Sequence, residues 1–483
     1  MSLASHRPIR RHVPARAPAL FVVASMLAAC AAGPDYRAPQ GAMPASFMTV
    51  DATLQAGAPR EDWWRGLADG ALDSLVASAL ADNPRLSAAR ARVRASREQA
   101  RIARSALGPS LAAQAKVSRD RLSRNSEMLA NLPFADPRLE FTDYRAGFDA
   151  SWELDLAGHA RRAAESALAR AQAEGESHHA AQLVLIAEVV ESYVDLRMGQ
   201  RRLDLSRRSL EASRETERLV ELQRRAGLAS ELERDRARSQ RFIAEARMQA
   251  TDADTQVSLQ RLAALVSRPP ATLSTELGEA PIPALPAVVP VGLPSELLRR
   301  RPDVRRAERE LAAATADVGV AKADLYPRIA LVGVAGMEAI HPRDLTDSAS
   351  RYWNVGPQIH LPLVESGRLR ANVRAREAAR DAAVGAYQAA VLQALADTES
   401  ALIRYARGRQ RASTLAQASA TVERDVELAR RRYAAGDSAL TDLLEVERAA
   451  CDAQDQAAQA MAGAIAAYAA LSKALGGGWS DTR

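Results

Sequence analysis

The stretch DYRAGFDASWELDL (143–156) alternates strictly between apolar and polar residues. Its apolar positions are Tyr144, Ala146, Phe148, Ala150, Trp152 and Leu154. Because successive side chains of a strand point to opposite faces, this pattern predicts a strand with one apolar and one polar face. The whole chain contains only 4% aromatic residues and is rich in alanine, arginine, glutamate and leucine, which is typical of long helices. An amphipathic strand in such a chain needs partner strands and an apolar environment for one face.

The first 29 residues have the features of an export signal. Arg10 and Arg11 form a basic start, and APALFVVASMLAA (17–29) is an apolar run too short for a stable transmembrane helix. Small residues before Cys30 resemble the cleavage box of bacterial lipoproteins, so we predict cleavage between Ala29 and Cys30. Cys30 then carries a covalent lipid, the only cofactor expected, and Ala31 after it favours the outer membrane. An ordinary signal peptide with an incidental cysteine is the alternative.

The charge pattern argues against a nucleic-acid-binding protein. The net charge is +6, and the export signal contributes four arginines and no acid, which leaves +2 for the rest. The remaining charges alternate in sign along predicted helices, as on a solvated helix face. Seven histidines are scattered, and no HExxH, CxxC, GxSxG or phosphate-binding loop is present. We therefore expect neither an enzyme nor a metal site.

Regular spacings show that the chain contains a duplicated unit. An interval of 25 residues between prolines and one of 69 residues between glycines each occur twice. The proline pairs are Pro84–Pro109 and Pro302–Pro327, and the glycine pairs are Gly158–Gly227 and Gly367–Gly436. Only the segment between these blocks differs, by nine residues, so we predict an insertion in the first hairpin.

Each repeat is predicted to contain a proline-started helix, two strands and two long coiled-coil helices joined at a glycine. The predicted division is an export signal at 1–29, a lipidated extended segment at 30–82, a first repeat at 83–267, a Pro-rich linker at 268–300, a second repeat at 301–475 and a tail at 476–483. The strands are predicted near 110–119, 143–155, 328–337 and 352–363, and the long helices near 160–224, 231–266, 368–433 and 439–474.

The segment 326–337 is apolar on both faces, unlike the other predicted strands. Four strands cannot close a barrel, because closed single-chain barrels begin at eight strands. An exported, lipid-anchored chain with no run of 18 apolar residues has a shared β-barrel as its other means of crossing a bilayer. The strand count therefore predicts a homo-oligomer in contact with outer-membrane lipid. Aromatic residues near strand ends are expected at the membrane interface: Tyr144, Trp152, Tyr352 and Trp353. A soluble hairpin packed on helices is the alternative.

Several motifs together resemble TolC-like outer-membrane efflux factors, in particular the NodT/OprM-type lipoproteins. These motifs are CAAGPDYRAP (30–39), DWWRGLADGALDSLVASALADNPRL (62–86), RRPDVRRAERELAAATADVGVAKADLYPRI (300–329), RRYAAGDSALTDLLEVERA (431–449) and LSKALGGGW (471–479). The resemblance implies a mainly α fold with a small β membrane part. It also implies a homotrimer whose twelve-stranded β-barrel continues into a periplasmic α-barrel. The function implied is a passive, gated exit duct that works with a periplasmic adaptor (membrane fusion) protein and an inner-membrane transporter of the resistance-nodulation-division class.

The resemblance also assigns roles to the two helix reversals. The family uses these tips to meet the adaptor, which implicates Arg225, Gly227 and Ser230 in the first tip and Arg432, Gly436 and Ser438 in the second. Glycine suits the left-handed position that ends a helix, and Ser230 and Ser438 are predicted to cap the returning helices.

The periplasmic gate of the family follows the second tip. Counting from Gly436, the gate positions are Thr441 and Glu445, with Arg448 one turn later and Asp442 as an alternative acid. The family usually has leucine and aspartate there, so this chain departs at both positions. A ring of three Glu445 side chains would still attract cations.

Two other interpretations also explain parts of the sequence. A structural or adhesive coiled-coil lipoprotein would explain the helices but not the strands. An exit duct of a metal-efflux pump would share the same sequence features, since the sequence does not identify the transported substrate.

Overall fold

A computed structural model describes residues 31–39, 43–49, 51–123, 125 and 139–480. The export signal 1–29 and the predicted lipid site at Cys30, with Ala29 before it, lie outside the described residues. Within those residues the chain is mostly helical, as the sequence predicts. No described helix combines the length and apolar composition that spanning a bilayer requires.

Nine α-helices account for most of the described residues. They are α1 (Gly70–Asp82), α2 (Pro84–Ser105), α3 (His159–Arg225), α4 (Glu231–Leu265), α5 (Pro270–Leu277), α6 (Leu297–Arg300), α7 (Pro302–Ala323), α8 (Arg368–Ala434) and α9 (Leu440–Ala474). Pro84 and Pro302 occupy first helical positions, where a missing N–H leaves no hydrogen bond unmade. The helix α5 lies in the Pro-rich linker predicted at 268–300 and has only eight residues.

The described strands form two sheets. The strands are β1 (Leu54–Gln55), β2 (Ser110–Arg121), β3 (Glu140–Leu154), β4 (Val289–Pro290), β5 (Arg328–Ala339) and β6 (Arg351–His360). The main sheet is antiparallel in the order β2-β3-β5-β6, so β2 and β6 are its outer strands. The parallel pair of β1 and β4 is only two residues long, and no sequence pattern indicated it.

The two repeats have matching elements. The helices α2 and α7 each have 22 residues, α3 and α8 each have 67, and α4 and α9 each have 35. The strands β2 and β5 each have 12 residues, whereas β3 has 15 and β6 has 10. The predicted strand 352–363 therefore ends earlier, at His360, and the apolar residues Leu361 and Leu363 follow it.

One compact unit, which we name the strand unit, contains the main sheet and the helix segments next to it. It comprises the described parts of residues 31–38, 95–171 and 309–384. Its helices approach closely through small buried residues, because Ala169 of α3 packs on Ala312 and Ala313 of α7. The carboxylate of Asp317 accepts hydrogen bonds from Ser166 and Arg170 beside this contact.

The second compact unit, which we name the helix unit, has the larger apolar core. It comprises the described parts of residues 39–94, 172–308 and 385–483. Its core contains side chains that are almost completely buried: Leu72, Val190, Tyr193, Leu262, Leu402, Tyr405 and Ile465. The Asp69 carboxylate caps α1 through Ala71 and Leu72 and also accepts a hydrogen bond from Tyr193, 2.6 Å away.

Candidate functional site

The main sheet of the strand unit exposes an apolar face. The register places Phe148 of β3 between Ala113 of β2 and Ala335 of β5, and Trp353 of β6 lies beyond Ala335. Residues directly opposite in antiparallel strands share a face. Exposed apolar side chains on this face are Leu111, Val117, Phe148, Trp152, Leu331, Trp353, Val355 and Ile359. Phe148 is 57% exposed and Trp353 is 77% exposed, which is unusual for contiguous apolar residues.

The opposite face of the same sheet is polar over much of β2 and β3. Arg145 forms ion pairs with Asp143 on its own strand, at 2.6 Å, and with Glu338 on β5, at 3.0 Å. Gly147 and Gly336 are direct partners, and a side chain on either would collide with the neighbouring strand. On β5 this face also carries Val332 and Val334, so β5 is apolar on both faces, as the sequence indicates.

The four predicted interface aromatics do not share one face. Tyr144, Trp152 and Trp353 lie on the apolar face, whereas Tyr352 pairs with Gly336 and lies on the other. Adjacent strand residues point to opposite faces, so Tyr352 and Trp353 cannot share one face of the sheet, and the interface role of the four aromatics stays a prediction. The indole N–H of Trp152 donates to the carbonyl of Leu107, 3.0 Å away, and so fixes the segment between α2 and β2.

The residues that follow Cys30 are attached to the strand unit where β3 passes into α3. The N–H of Ala32 donates to the carbonyl of Ala157 at 2.8 Å. Arg162 of α3 donates to the carbonyl of Ala32 and to the carboxylate of Asp35. The hydrogen bond from Arg162 lowers the pKa of Asp35. Sequence reasoning missed this pair because its partners are 127 positions apart.

The first tip of the helix unit, between α3 and α4, is stabilised on both sides of Gly227. Gly227 has a φ of +76°, and Leu228 donates to Gln223 across the reversal. Ser230 caps α4 as predicted, because its hydroxyl accepts from the N–H of Glu233 while the Glu233 carboxylate accepts from the N–H of Ser230.

Two arginines of the first tip share one glutamate. Arg224 and Arg225 both donate to Glu221, with N–O distances of 2.9 and 3.0 Å. These hydrogen bonds lower the pKa of Glu221 to about 2. Arg225, predicted to meet an adaptor, therefore stays exposed but carries a paired guanidinium.

The second tip, between α8 and α9, lacks the serine cap predicted for it. Gly436 has a φ of +79°, and Asp437 donates to Arg432, as at the first tip. The cap position is Ala439, which has no side-chain hydrogen bond, so the predicted capping role of Ser438 is wrong. The helix begins one residue later than that prediction requires. The Ser438 hydroxyl is buried without a partner among the described residues.

The four predicted gate residues lie in the first two and a half turns of α9. Asp442 accepts a hydrogen bond from the N–H of Ala439, at 3.3 Å, but Ala439 has no side chain that could accept in return from the first turn of the helix. Thr441, Glu445 and Arg448 are exposed, and none forms an ion pair among the described residues.

Glu445 and Arg448 line a groove in the helix unit between the two helical hairpins. The charged residues that line it are Arg208, Glu211, Glu215, Glu423, Arg430, Glu445, Glu447, Arg448 and Asp452. Six of these are acidic and three are basic, and four of the acids form ion pairs with arginines. Glu423 and Glu445 are the lining acids without an ion pair among the described residues. The structure thus brings Glu445 together with other acids, whereas Asp442 is occupied at the helix start.

A family model for outer membrane efflux proteins matches this chain twice, over residues 75–268 and 293–477. The two matches coincide with the two repeats. Nodulation protein T of Rhizobium leguminosarum bv. viciae is 30% identical over 463 residues, which are 96% of this chain and 93% of that protein. The pyoverdine export outer membrane protein OpmQ of Pseudomonas aeruginosa is 32% identical over 95% of this chain and 96% of its own length. The solved structure of the outer-membrane channel OprN has a TM-score of 0.82 at 34% identity, over 93% of this chain and 100% of that chain.

Proposed function

The chain belongs to the outer membrane efflux protein family, and we propose that three copies form its working unit, a gated exit duct for a tripartite efflux pump. Membership places the chain in the outer membrane and makes it an efflux channel protein, not an enzyme. The family, function and location predicted from the sequence are thereby confirmed. The trimer, the gate, the lipid anchor and the pump partners are proposals that the following observations support.

One observation carries the trimer: the four-stranded sheet exposes its apolar face and leaves β2 and β6 as outer strands. An unpaired strand edge in lipid leaves backbone N–H and C=O groups without partners, so further copies must continue the sheet. Three copies would contribute twelve strands, with the apolar face toward lipid and the Arg145 face toward a water-filled lumen.

Neighbouring residues on opposite faces test this arrangement. Phe148→Arg places a charge on the apolar face and is expected to cost ~2–4 kcal/mol and block assembly. Asp149→Arg on the polar face is the matched control and should still assemble. Native mass spectrometry in detergent, together with conductance in planar bilayers, measures the result. A wild-type protein that stays monomeric, or equal loss in both variants, would contradict the trimer.

The exposed tips support contact with a periplasmic adaptor, which in turn would join the duct to an inner-membrane transporter of the resistance-nodulation-division class. Both tips turn at a left-handed glycine, and a Cβ at either would meet no neighbouring atom. Gly227→Val and Gly436→Val should strain the reversals without changing the sheet. Trimer formation should persist while co-purification with the periplasmic adaptor is lost. Retained co-purification with both variants would argue against tip docking.

A gate at Glu445 is supported by the acidic groove and by the engagement of Asp442 at the start of α9. Glu445→Gln should reduce the preference of the pore for cations in planar bilayers. Asp442→Asn should leave ion selectivity unchanged. If instead Asp442→Asn changes ion selectivity and Glu445→Gln does not, the acid of the gate is Asp442. Thr441 is less bulky than the usual leucine, so we expect the closed pore to leak small ions.

The covalent lipid on Cys30 is supported by the attachment of Ala32 and Asp35 to the strand unit. That attachment would hold the modified residue close to the strands. Cys30→Ser should lose the mass of the lipid in intact-protein mass spectrometry. A mass change no larger than the exchange of sulfur for oxygen would favour the ordinary signal peptide.

A further inference from the structure

The helices α3 and α7 meet in the strand unit along what we name the inner seam, where Arg162 and Arg170 both have acidic partners. Arg162 is buried and pairs with Glu165 at 2.7 Å and with Asp35 at 2.5 Å. Arg170 pairs with Asp317. Gly319 of α7 leaves room for Arg162, since an added Cβ would lie 2.8 Å from the Arg162 Cγ.

The two outer edges of the strand unit are basic instead. The helix α2 leads into the outer strand β2, and its last two turns present Arg97, Arg101 and Arg104 on one face, at steps of four and three residues. Only Arg101 has an acidic partner in the described part of the chain, Glu98 on the same helix, at 2.8 Å. The side chains of all three arginines are exposed.

The other edge is α8, which follows the outer strand β6. Its first turns expose Arg370 and Arg374, and neither has an acidic partner within the described ranges. The acids of this segment are already used: Glu377 pairs with Lys322 of α7, and Asp381 pairs with Arg380. Both edges that a second copy would have to join therefore carry unneutralised arginine.

The repeat relates the outer edges to the inner seam residue by residue. An offset of 218 takes Arg101 of α2 to Gly319 of α7, and an offset of 209 takes Arg162 and Glu165 of α3 to Ala371 and Arg374 of α8. We name the contact between α2 of one copy and α8 of the next the outer seam. At the inner seam the long side chain of Arg162 on α3 lies against Gly319 on α7. If a second copy packs in the same way, the long side chain at the outer seam is Arg101 on α2, and it lies against the small Ala371 on α8. The position of Glu165, however, is occupied by Arg374 in α8, so the outer seam brings the like charges of Arg101 and Arg374 together.

Like charges in a closed seam need a counterion, and the position of α2 indicates its source. The indole of Trp152, on the apolar sheet face, donates to Leu107, whose N–H donates to the carbonyl of Arg104 at 3.1 Å. Tryptophan on a lipid-facing sheet marks the headgroup level. Arg104 therefore lies two hydrogen bonds from that level, within reach of lipid phosphates.

We propose that the outer seam binds the phosphate of an anionic phospholipid headgroup from the periplasm-facing leaflet, held by Arg101 and Arg104 of one copy and Arg370 and Arg374 of the next. Guanidinium groups bind phosphate oxygens in bidentate geometry. The lipid would complete the charge balance that Glu165 and Asp35 provide at the inner seam. This inference rests on the proposed trimer, since a single copy offers only half of the site.

Nanodiscs test the lipid requirement. The full-length trimer is compared in phosphatidylcholine alone and in phosphatidylcholine with phosphatidylglycerol, and bound lipid is counted by native mass spectrometry. Phosphatidylglycerol should raise the melting temperature of the trimer. Arg101→Gln with Arg104→Gln should weaken phosphatidylglycerol binding about 30-fold, the equivalent of ~2 kcal/mol for two arginines. Arg214→Gln with Arg218→Gln, two exposed arginines of the helix unit, is the charge-matched control and should have no effect.

Arg374→Glu provides a gain-of-function arm, because it copies Glu165 into the outer seam. The variant should form a trimer that is stable in phosphatidylcholine alone and no longer responds to phosphatidylglycerol. Destabilisation by this variant in both lipids would overturn the proposed juxtaposition of Arg101 and Arg374.

Other outcomes distinguish a lipid phosphate from free phosphate, and a failure of this site from a failure of the proposed trimer. Equal melting temperatures in both lipids, or stabilisation by inorganic phosphate alone, would overturn the assignment to a lipid. An arginine variant that keeps its bound lipid but changes ion selectivity would place these arginines in the lumen and overturn the site. A wild-type protein that forms no trimer in any lipid would instead contradict the proposed function.

Discussion

In each repeat, the residue before the first helix donates a hydrogen bond to the last residue of the last helix, but the two repeats use different side chains for it. In the first repeat, the amide of Asn83 donates to the carbonyl of Leu265, the last residue of α4, at 2.8 Å. In the second, Arg301 occupies the equivalent position and donates to the carbonyl of Ala474, the last residue of α9, at 3.3 Å. Both repeats thus leave the last carbonyl of a long helix without an intrahelical partner. A neutral amide donates to it in the first repeat, whereas a buried guanidinium and the hydroxyl of Thr398 donate to it in the second.

The guanidinium of Arg301 has additional partners that the short amide cannot reach. It donates to the carbonyl of Ala394 and forms ion pairs with Asp303 at 2.6 Å and Asp397 at 3.1 Å. Arg301 is buried, so these contacts act in a low dielectric, where a missing partner is costly. The two repeats therefore keep the same helix geometry, but each has its own network of polar contacts.

The largest expected effect comes from removing that network. Arg301→Ala removes both ion pairs and the buried stem of the arginine, while Thr398 still donates to the carbonyls of Ala394 and Ala474. The substitution should lower the free energy of unfolding by ~3–5 kcal/mol. Asn83→Ala removes this neutral donor and also the side-chain oxygen that accepts from the N–H of Arg85 at the start of α2, and it should cost ~1–3 kcal/mol. Urea unfolding of the detergent-solubilised protein, followed by circular dichroism, measures both.

Arg299→Ala is the control for Arg301, because Arg299 is exposed and forms no ion pair among the described residues. It should change the free energy of unfolding little. Equal losses for Asn83→Ala and Arg301→Ala would refute the view that the two repeats differ at this position.

The helix tips give the next largest contrast. Ser230→Ala removes the cap of α4 and should cost ~1 kcal/mol locally, whereas Ser438→Ala should be close to neutral because Ser438 caps nothing. Ala439→Ser should stabilise α9 by up to ~1 kcal/mol, since it supplies the missing cap. Hydrogen exchange in the first turns of α4 and α9, measured by mass spectrometry, reports these local changes. Lower protection from hydrogen exchange at the start of α9 in Ser438→Ala would show that Ser438 does cap this helix.

The sequence predicts the repeat, the helix lengths and the strand faces because these follow from local periodicity. Spacings between Pro84, Gly158 and Gly227 recur in the second half, and alternation around Phe148 fixes the apolar face. It does not predict that Ala439 is a cap, because a shift of one residue at a helix start lies within the usual uncertainty of element boundaries.

Long-range polar contacts also escape sequence reasoning. Arg162 and Asp35 are 127 positions apart, and Arg301 and Ala474 are 173 apart, so no local pattern connects them. Arg301 lies next to Pro302 in an arginine-rich motif that reads as a solvated surface. Its burial depends on where α8 and α9 pack, which is set by the tertiary fold.

The smallest contrast concerns one position in α3. His178 is half-buried with no partner for its Nε2 among the described residues, and the repeat relates it to Tyr387 of α8, which is buried. Burial, then the neighbouring His179 and Arg90, lower the pKa of His178 below its ordinary value of 6.5.

Because the pKa of His178 is lower in the folded protein than in the unfolded chain, the unfolded chain takes up more protons below about pH 6.5. The stability that the neutral ring provides is therefore complete above that pH and decreases as the pH falls. The melting temperature should decrease slightly between pH 7.5 and 5.5, and His178→Tyr, which copies Tyr387, should remove that part of the decrease. His159→Gln is the control histidine and should leave it in place. An unchanged pH profile in His178→Tyr would mean that the buried ring makes no contribution, and that the two repeats do not differ in acid response at this position.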